Sequence, residues 1–233
     1  MEKRSKLILF TACIALFTLA RVNAQTYTVD PTQTWVGYMN VFELPSNGGG
    51  YDFGSPWATA DLDANFAAGP ANPLTLTPND NIDRTDPIDA YWWQAPNTGT
   101  SAGNHTMAAS MYVEDSGFAG GTVHFTGNVL QNTLVSPYTC VAFIDDFTPT
   151  FSLVSSVTSA DLGAGVFNIS NTITPGDVLQ YGFITTGPNA RTAALPGDGD
   201  VVVTAVAVPE PTSIVLVLGG LLGLVAVARK HRA

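Results

Sequence analysis

The feature that most limits the fold of this chain is a series of short β-rich runs, each ended by glycine, proline, asparagine or aspartate. In GGTVHFTGNVL, Val123 and Phe125 fall on one side of an extended strand, while Thr122, His124 and Thr126 fall on the other. Many short strands separated by turn signals are typical of a sandwich or barrel. The pattern therefore predicts an all-β fold, a single β-sandwich of jelly-roll type.

The predicted strands follow one another without an internal repeat or linker, so residues 25–208 are expected to form one domain. The predicted strands are Tyr27–Asp30, Thr34–Leu44, Ala58–Phe66, Leu74–Thr77, His105–Val113, Thr122–Leu130, Thr139–Phe147, Phe151–Thr158, Gly165–Ser170, Val178–Thr186 and Asp200–Val208.

The beginning of the chain has the composition of a secretory signal peptide. A basic cluster precedes the apolar run 7–20, and the small residues Val22 and Ala24 fit cleavage between Ala24 and Gln25. Residues 1–24 are therefore predicted to be removed on export. The alternative is an uncleaved anchor, which the small residues at the cleavage site disfavour.

An uncharged segment, residues 212–228, lies near the end of the chain. As a helix rising 1.5 Å per residue it would extend about 26 Å, close to the ~30 Å hydrocarbon core of a bilayer. Basic residues follow it directly: Arg229, Lys230 and Arg232. Because cationic residues after a span stay in the cytoplasm, the preceding domain is predicted to face away from it.

The motif Pro209-Glu210-Pro211 stands directly before this segment. Each proline holds the preceding residue extended and donates no backbone hydrogen bond. The motif could therefore be an accessible strip, with one carboxylate, for a processing enzyme. Alternatively, it could be a stiff spacer that starts the helix.

Together, the motif, the apolar segment and the basic end resemble the PEP-CTERM sorting signal of bacterial envelope proteins. The resemblance covers the tail, residues 209–233, and no other part of the chain. It implies a membrane anchor before processing, recognition and cleavage by an exosortase, and delivery to the cell surface or an exopolysaccharide matrix. It implies nothing about the activity of the preceding domain.

The predicted domain is strongly acidic. Between residues 25 and 208 there are 17 acidic residues, no lysine, and two arginines, Arg84 and Arg191. Such a surface repels nucleic acid and anionic lipid, so neither is expected as a partner of the domain. Cys140, in an apolar run, is expected to be a buried structural thiol.

Two clusters are candidates for ligand binding. Trp92 and Trp93 could offer an aromatic platform to a sugar, although aromatic residues of a sandwich are mostly core. Four aspartates in PNDNIDRTDPIDAYWW supply the oxygen ligands that calcium prefers, although such residues commonly make turns and Arg84 would compete for them. They are Asp80, Asp83, Asp86 and Asp89. No metal site or cofactor is assigned.

Two classes of function follow. The first is a non-catalytic envelope or matrix protein that is sorted by its tail and binds polysaccharide. The second is a secreted carbohydrate-active enzyme with two carboxylates facing each other in a groove beside Trp92 or Trp93. No sequence motif of a hydrolase, metalloprotease or P-loop enzyme is present, so the first class is favoured.

Overall fold

The computed structural model describes residues 24–68 and 72–206, and this part of the chain is mostly β-strand. Its strands are β1 (Ala24–Thr28), β2 (Trp35–Glu43), β3 (Tyr51–Trp57), β4 (Ala64–Phe66), β5 (Leu74–Leu76), β6 (His105–Ser116), β7 (Gly121–Asn132), β8 (Thr139–Phe147), β9 (Leu153–Thr158), β10 (Gly165–Ile173), β11 (Val178–Pro188) and β12 (Val201–Thr204). The helical elements are a 3-10 turn, Pro45–Asn47, and two short helices, Asn81–Thr85 and Leu195–Asp198.

The strands form two six-stranded sheets. In sheet A, β10 pairs along one edge of β7, while β1 and β12 share the other edge, and β12 continues to β5 and β4. Sheet B has the order β3-β2-β6-β11-β8-β9, and all its pairs are antiparallel. The pairing of β1 with β7 is parallel, which departs from an all-antiparallel jelly roll.

The core lies between the two sheets and follows the period-two alternation of the strands. Phe125 of sheet A packs against Tyr181 and Phe183 of sheet B, with ring centroids 5.1 and 5.3 Å apart. All three side chains are almost fully buried. Burial of each such ring removes a large apolar area from water, which stabilises the packing of one sheet on the other.

The all-β fold with two packed sheets confirms the class predicted from the strand pattern. Strand β3 was not predicted, and the predicted run Ala58–Phe66 is a strand only over Ala64–Phe66. No helix among residues 24–68 and 72–206 is long and apolar enough to cross a membrane. The predicted spanning segment, 212–228, lies outside the described residues, as does most of the predicted signal peptide.

Candidate functional site

The two adjacent tryptophans lie in the long connection between β5 and β6, residues 77–104, which we call the cap loop. Trp93 is 1% exposed, and the guanidinium carbon of Arg191 stands 3.3 Å from the centroid of its ring. Its indole nitrogen donates to the backbone carbonyl of Asp86 at 3.1 Å. Trp93 therefore has no free ring face on which a sugar could stack.

Trp92 is half-buried. Its ring contacts Tyr91, His105 and Phe53, with centroid distances of 4.7, 5.3 and 6.1 Å. It belongs to an aromatic cluster at one end of the core. The residues predicted to form a sugar platform thus hold the cap loop against the sandwich.

The aspartates considered for calcium take part in closing the same loop. Asp80 accepts a hydrogen bond from Arg84, and Asp83 accepts one from Arg191 at 2.6 Å. Asp89 accepts the backbone N–H of Tyr91 at 2.9 Å. Because both arginines of the domain compete for this cluster, the contacts do not support a calcium site there.

Arg191 is the centre of these contacts, although it is only 6% exposed. Its acceptors are the carbonyl oxygens of Pro87, Thr98 and Ser101, the amide oxygen of Asn97 and the carboxylate of Asp83, at 2.6–3.2 Å. With Trp93 beneath it, the guanidinium is satisfied on its edges and on one face.

A different part of the molecule forms a concave site. The outer face of sheet B contains a cavity of about 580 Å³, which we call the sheet B groove. Its lining residues are Tyr38, Asn40, Ser110, Tyr112, Glu114, Phe143, Asp145, Phe147, Phe151, Gln180 and Ile184. Most of them alternate along the strands with core residues: Tyr112, for example, stands between the buried Met111 and Val113.

Strand register places three polar side chains of the groove in one row. Gln180 on β11 is paired with Glu114 on β6 and with Asp145 on β8. Its side-chain nitrogen donates to Oε2 of Glu114 at 2.8 Å. Since neighbouring strands lie about 4.8 Å apart, the Cα atoms of Glu114 and Asp145 are separated by roughly 10 Å.

The next row is aromatic. Gly182 is paired with Tyr112 on one side and Phe143 on the other, and the two rings meet edge to face with centroids 6.3 Å apart. A side chain at position 182 would collide with the backbone of Met111. Glycine therefore keeps the floor between the two rings open.

An exposed aromatic side chain lies at the rim of the groove. Phe151 is 57% exposed, and its ring centroid lies 6.3 Å from that of Phe147. An exposed aromatic ring beside the half-buried Phe147 gives a ligand an apolar face at the entrance of the groove.

The groove also has a distinctive electrostatic character. Burial raises the pKa of Asp145, an effect that a hydrogen bond with Ser156 partly offsets, and its Oδ1 atom is shielded from solvent without a hydrogen-bond partner among the described residues. Burial, together with the nearby Glu114 carboxylate, raises the pKa of Tyr112. Among the described residues, the lining contains two carboxylates and no basic side chain, so it suits a hydroxyl-rich, uncharged ligand better than an anionic one.

Sequence reasoning did not identify this groove. A signal was present, because Phe143, Asp145 and Phe147 alternate with buried residues on one strand, and Tyr112 and Glu114 do so on another. The sequence alone does not show that these two strands flank β11.

The predicted signal-peptide cleavage site lies at the start of the described region, and the predicted sorting tail lies beyond its end. Ala24 and Gln25 begin β1, where they pair with Thr122 and Val123. The predicted sorting motif Pro209-Glu210-Pro211 and the basic residues Arg229, Lys230 and Arg232 lie outside the described residues.

Cys140 is fully buried, and its burial raises the pKa of the thiol to about 12. This confirms the expectation of a buried structural thiol.

The fold and groove define a two-sheet β-domain with an aromatic and acidic cleft. No protein-family model matches the chain, and no curated protein or solved structure is significantly similar to it.

Proposed function

We propose that this chain is an exported, non-catalytic protein of the cell envelope or extracellular matrix that binds polysaccharide in the sheet B groove. One observation carries the proposal: aromatic rings and a row of carboxylate and amide groups share one concave surface. Sugar rings present apolar faces to aromatic side chains and hydroxyl groups to polar ones. The proposal moves the binding site from Trp92 and Trp93 to the groove.

The charge of the domain favours neutral glycans. Glu114 and Asp145 lie in the groove itself, and the domain around them carries 17 acidic residues against two arginines. A uronic or sulfated polymer would be repelled, whereas the hydroxyl groups of a neutral polymer can donate hydrogen bonds to both carboxylates.

The proposed location rests on the ends of the sequence. We attribute export to residues 1–24, temporary membrane anchoring to the 212–228 segment, and processing by an exosortase to Pro209-Glu210-Pro211. A jelly-roll type of sandwich is part of the same proposal. Intact mass spectrometry of the protein from cells with an active exosortase tests processing: retention of the 212–228 segment contradicts it.

Glycan binding is tested with the intact chain on an array of neutral and acidic polysaccharides, followed by calorimetry. We expect Tyr112→Ala and Phe151→Ala to weaken binding of a neutral glycan by about fivefold or more, since an aromatic contact contributes about 1 kcal/mol or more. Tyr51→Ala is the matched control, because Tyr51 is 60% exposed on β3 and does not line the groove. Equal loss in the control, or no binding to any glycan, rejects the proposal.

The positions of Glu114 and Asp145 also favour a second candidate, a glycoside hydrolase. Inverting enzymes place two carboxyl groups about 6.5–9.5 Å apart, and the roughly 10 Å between these Cα atoms permits that separation. The raised pKa of Asp145 suits a general acid. Release of reducing sugar that disappears in Asp145→Asn, with glycan binding retained, would establish this activity. Binding without hydrolysis supports the non-catalytic function.

A further inference from the structure

A second polar cluster lies at one end of the core, away from the lining of the groove. His105 opens β6, Glu43 ends β2, and register pairs the two residues directly. Asp52 lies on β3, on the other side of β2. The three side chains bring one ligand atom each to within 4.8 Å of one another.

The imidazole ring of His105 is buried, and its polar atoms are not satisfied. It is 2% exposed, and neither of its ring nitrogens has a hydrogen-bond partner in the part of the chain that the structure describes. Its ring stacks on Tyr91 with centroids 4.2 Å apart. A buried imidazole normally satisfies its polar atoms, so this arrangement requires an explanation.

The imidazole faces the two carboxylates at a distance too long for hydrogen bonding. Its Nε2 atom lies 3.9 Å from Oε1 of Glu43 and 3.8 Å from Oδ2 of Asp52. An N–H···O hydrogen bond needs a donor–acceptor distance of about 3 Å, so Nε2 forms a hydrogen bond with neither oxygen. A metal ion fits a wider gap, because ligand atoms around a tetrahedral ion with bonds of about 2.1 Å stand roughly 3.4 Å apart.

We propose that Glu43, Asp52 and His105 bind a divalent transition-metal ion of the zinc class. One imidazole nitrogen and two carboxylate oxygens form a borderline ligand set that suits zinc, whereas calcium and magnesium prefer oxygen ligands alone. The side chains of Glu43 and Asp52 are 42% and 34% exposed, so they have room to shift towards the distances that metal binding requires. Water completes the coordination on the exposed side.

A further contact orients one of the ligands. The Tyr91 hydroxyl donates a hydrogen bond to Oδ2 of Asp52, so the cap loop helps to position this carboxylate. Hydrogen-bonded partners of this kind commonly orient metal ligands. The site therefore joins the β2–β3 hairpin, the start of β6 and the cap loop.

The site is tested by titrating zinc chloride into the intact chain, purified in mild detergent without a polyhistidine tag and freed of metal. We expect the wild type to bind one equivalent more than His105→Gln. We expect Glu43→Gln and Asp52→Asn to raise the Kd about tenfold or more, because each loses an anionic ligand. Zinc should also raise the Tm of the wild type in a concentration-dependent way.

His124→Gln is the matched control, because it removes the other histidine of the domain, which lies on β7 of sheet A. It should bind zinc as the wild type does. Circular dichroism of each metal-free variant checks its fold. The partly exposed side chains of Glu43 and Asp52 keep the test decisive if His105→Gln does not fold. Equal zinc binding in the wild type and in both carboxylate variants, or loss of binding in His124→Gln, overturns the proposal.

Discussion

The sheet B groove and the cap loop differ in how they hold their side chains. In the groove, Glu114, Gln180 and Asp145 are positioned by the register of three paired strands. In the cap loop, the backbone has little regular strand pairing. Arg191 instead donates hydrogen bonds to four loop residues and to Asp83 of the short helix.

This difference predicts that groove residues mainly affect ligand binding, whereas cap-loop residues mainly affect the stability of the fold. A groove residue can change while the backbone hydrogen bonds of its strand stay in place. A loop organised around one guanidinium depends on that group, since its removal leaves several acceptors in partly buried contacts unpaired. Substitutions in the two regions should therefore affect different measurements.

The largest effect is expected for Arg191→Met, which keeps much of the apolar volume and removes the charge and the donors. Loss of one partner from a buried, hydrogen-bonded ion pair costs about 3–5 kcal/mol. Urea denaturation of the variant should show a decrease of this size in the free energy of unfolding. Arg191→Lys retains the charge but not the fork of donors, and we expect an intermediate loss. A decrease below about 1 kcal/mol in Arg191→Met would show that the loop does not depend on this side chain.

A smaller effect on the free energy of unfolding should distinguish the two regions, because its dependence on pH has opposite signs for Asp83 in the cap loop and Asp145 in the groove. Burial opposes ionisation of Asp83, but hydrogen bonds from Arg191 and Thr192 outweigh it and lower the pKa of the carboxyl group. Its stabilising contribution is present above the unfolded pKa of about 3.9 and is lost as the pH falls through the lower folded value. Burial raises the pKa of Asp145, so its ionisation destabilises the folded protein as the pH rises above about 4.

At pH 7 we therefore expect Asp83→Asn to destabilise the protein and Asp145→Asn to stabilise it. Both differences should shrink as the pH falls below about 4, because Asp145 becomes protonated in the folded protein, whereas Asp83 becomes protonated first in the unfolded chain. Urea midpoints of the three proteins between pH 3 and 7 provide the measurement. Differences of the same sign at pH 7 would contradict the proposed contrast between the groove and the loop.

The smallest effect on stability is expected for Phe151→Ala at the rim of the groove. Phe151 is 57% exposed, and surface substitutions usually change the free energy of unfolding by less than about 0.5 kcal/mol. The same substitution should weaken glycan binding, as proposed above. A large loss of stability would mean that Phe151 is a packing residue, and binding data for this variant would then report on the fold.

The strand pattern predicted most of the fold, because period-two alternation follows directly from a sheet with one buried face. The predicted run Thr139–Phe147 coincides with β8. Strand β3 was not predicted because it contains Gly54 and Pro56, residues that normally interrupt strands. It lies at the edge of sheet B, where a proline is tolerated because no further strand requires a backbone N–H donor at that position.

The candidate sites were less accessible to sequence reasoning. Trp93 was considered for binding, but its burial depends on Arg191, which is 98 residues away along the chain. Alternation along β2 places Glu43 on the same face as the buried Met39 and Val41, and this polar residue at a core-facing position was a readable signal. The proximity of Glu43 to His105 and Asp52 depends on the order of the strands in sheet B, which the sequence alone does not define.

The two arginines have one more consequence, for resistance to proteolysis. Trypsin-like proteases cleave after lysine or arginine, and residues 25–208 contain no such residue other than Arg84 and Arg191. Arg191 is buried, and Arg84 is paired with Asp63 and Asp80. A protease of this class would therefore have to displace Arg191 from the cap loop before it could cut there, so cleavage of the folded domain is directed to Arg84, whose side chain is 40% exposed.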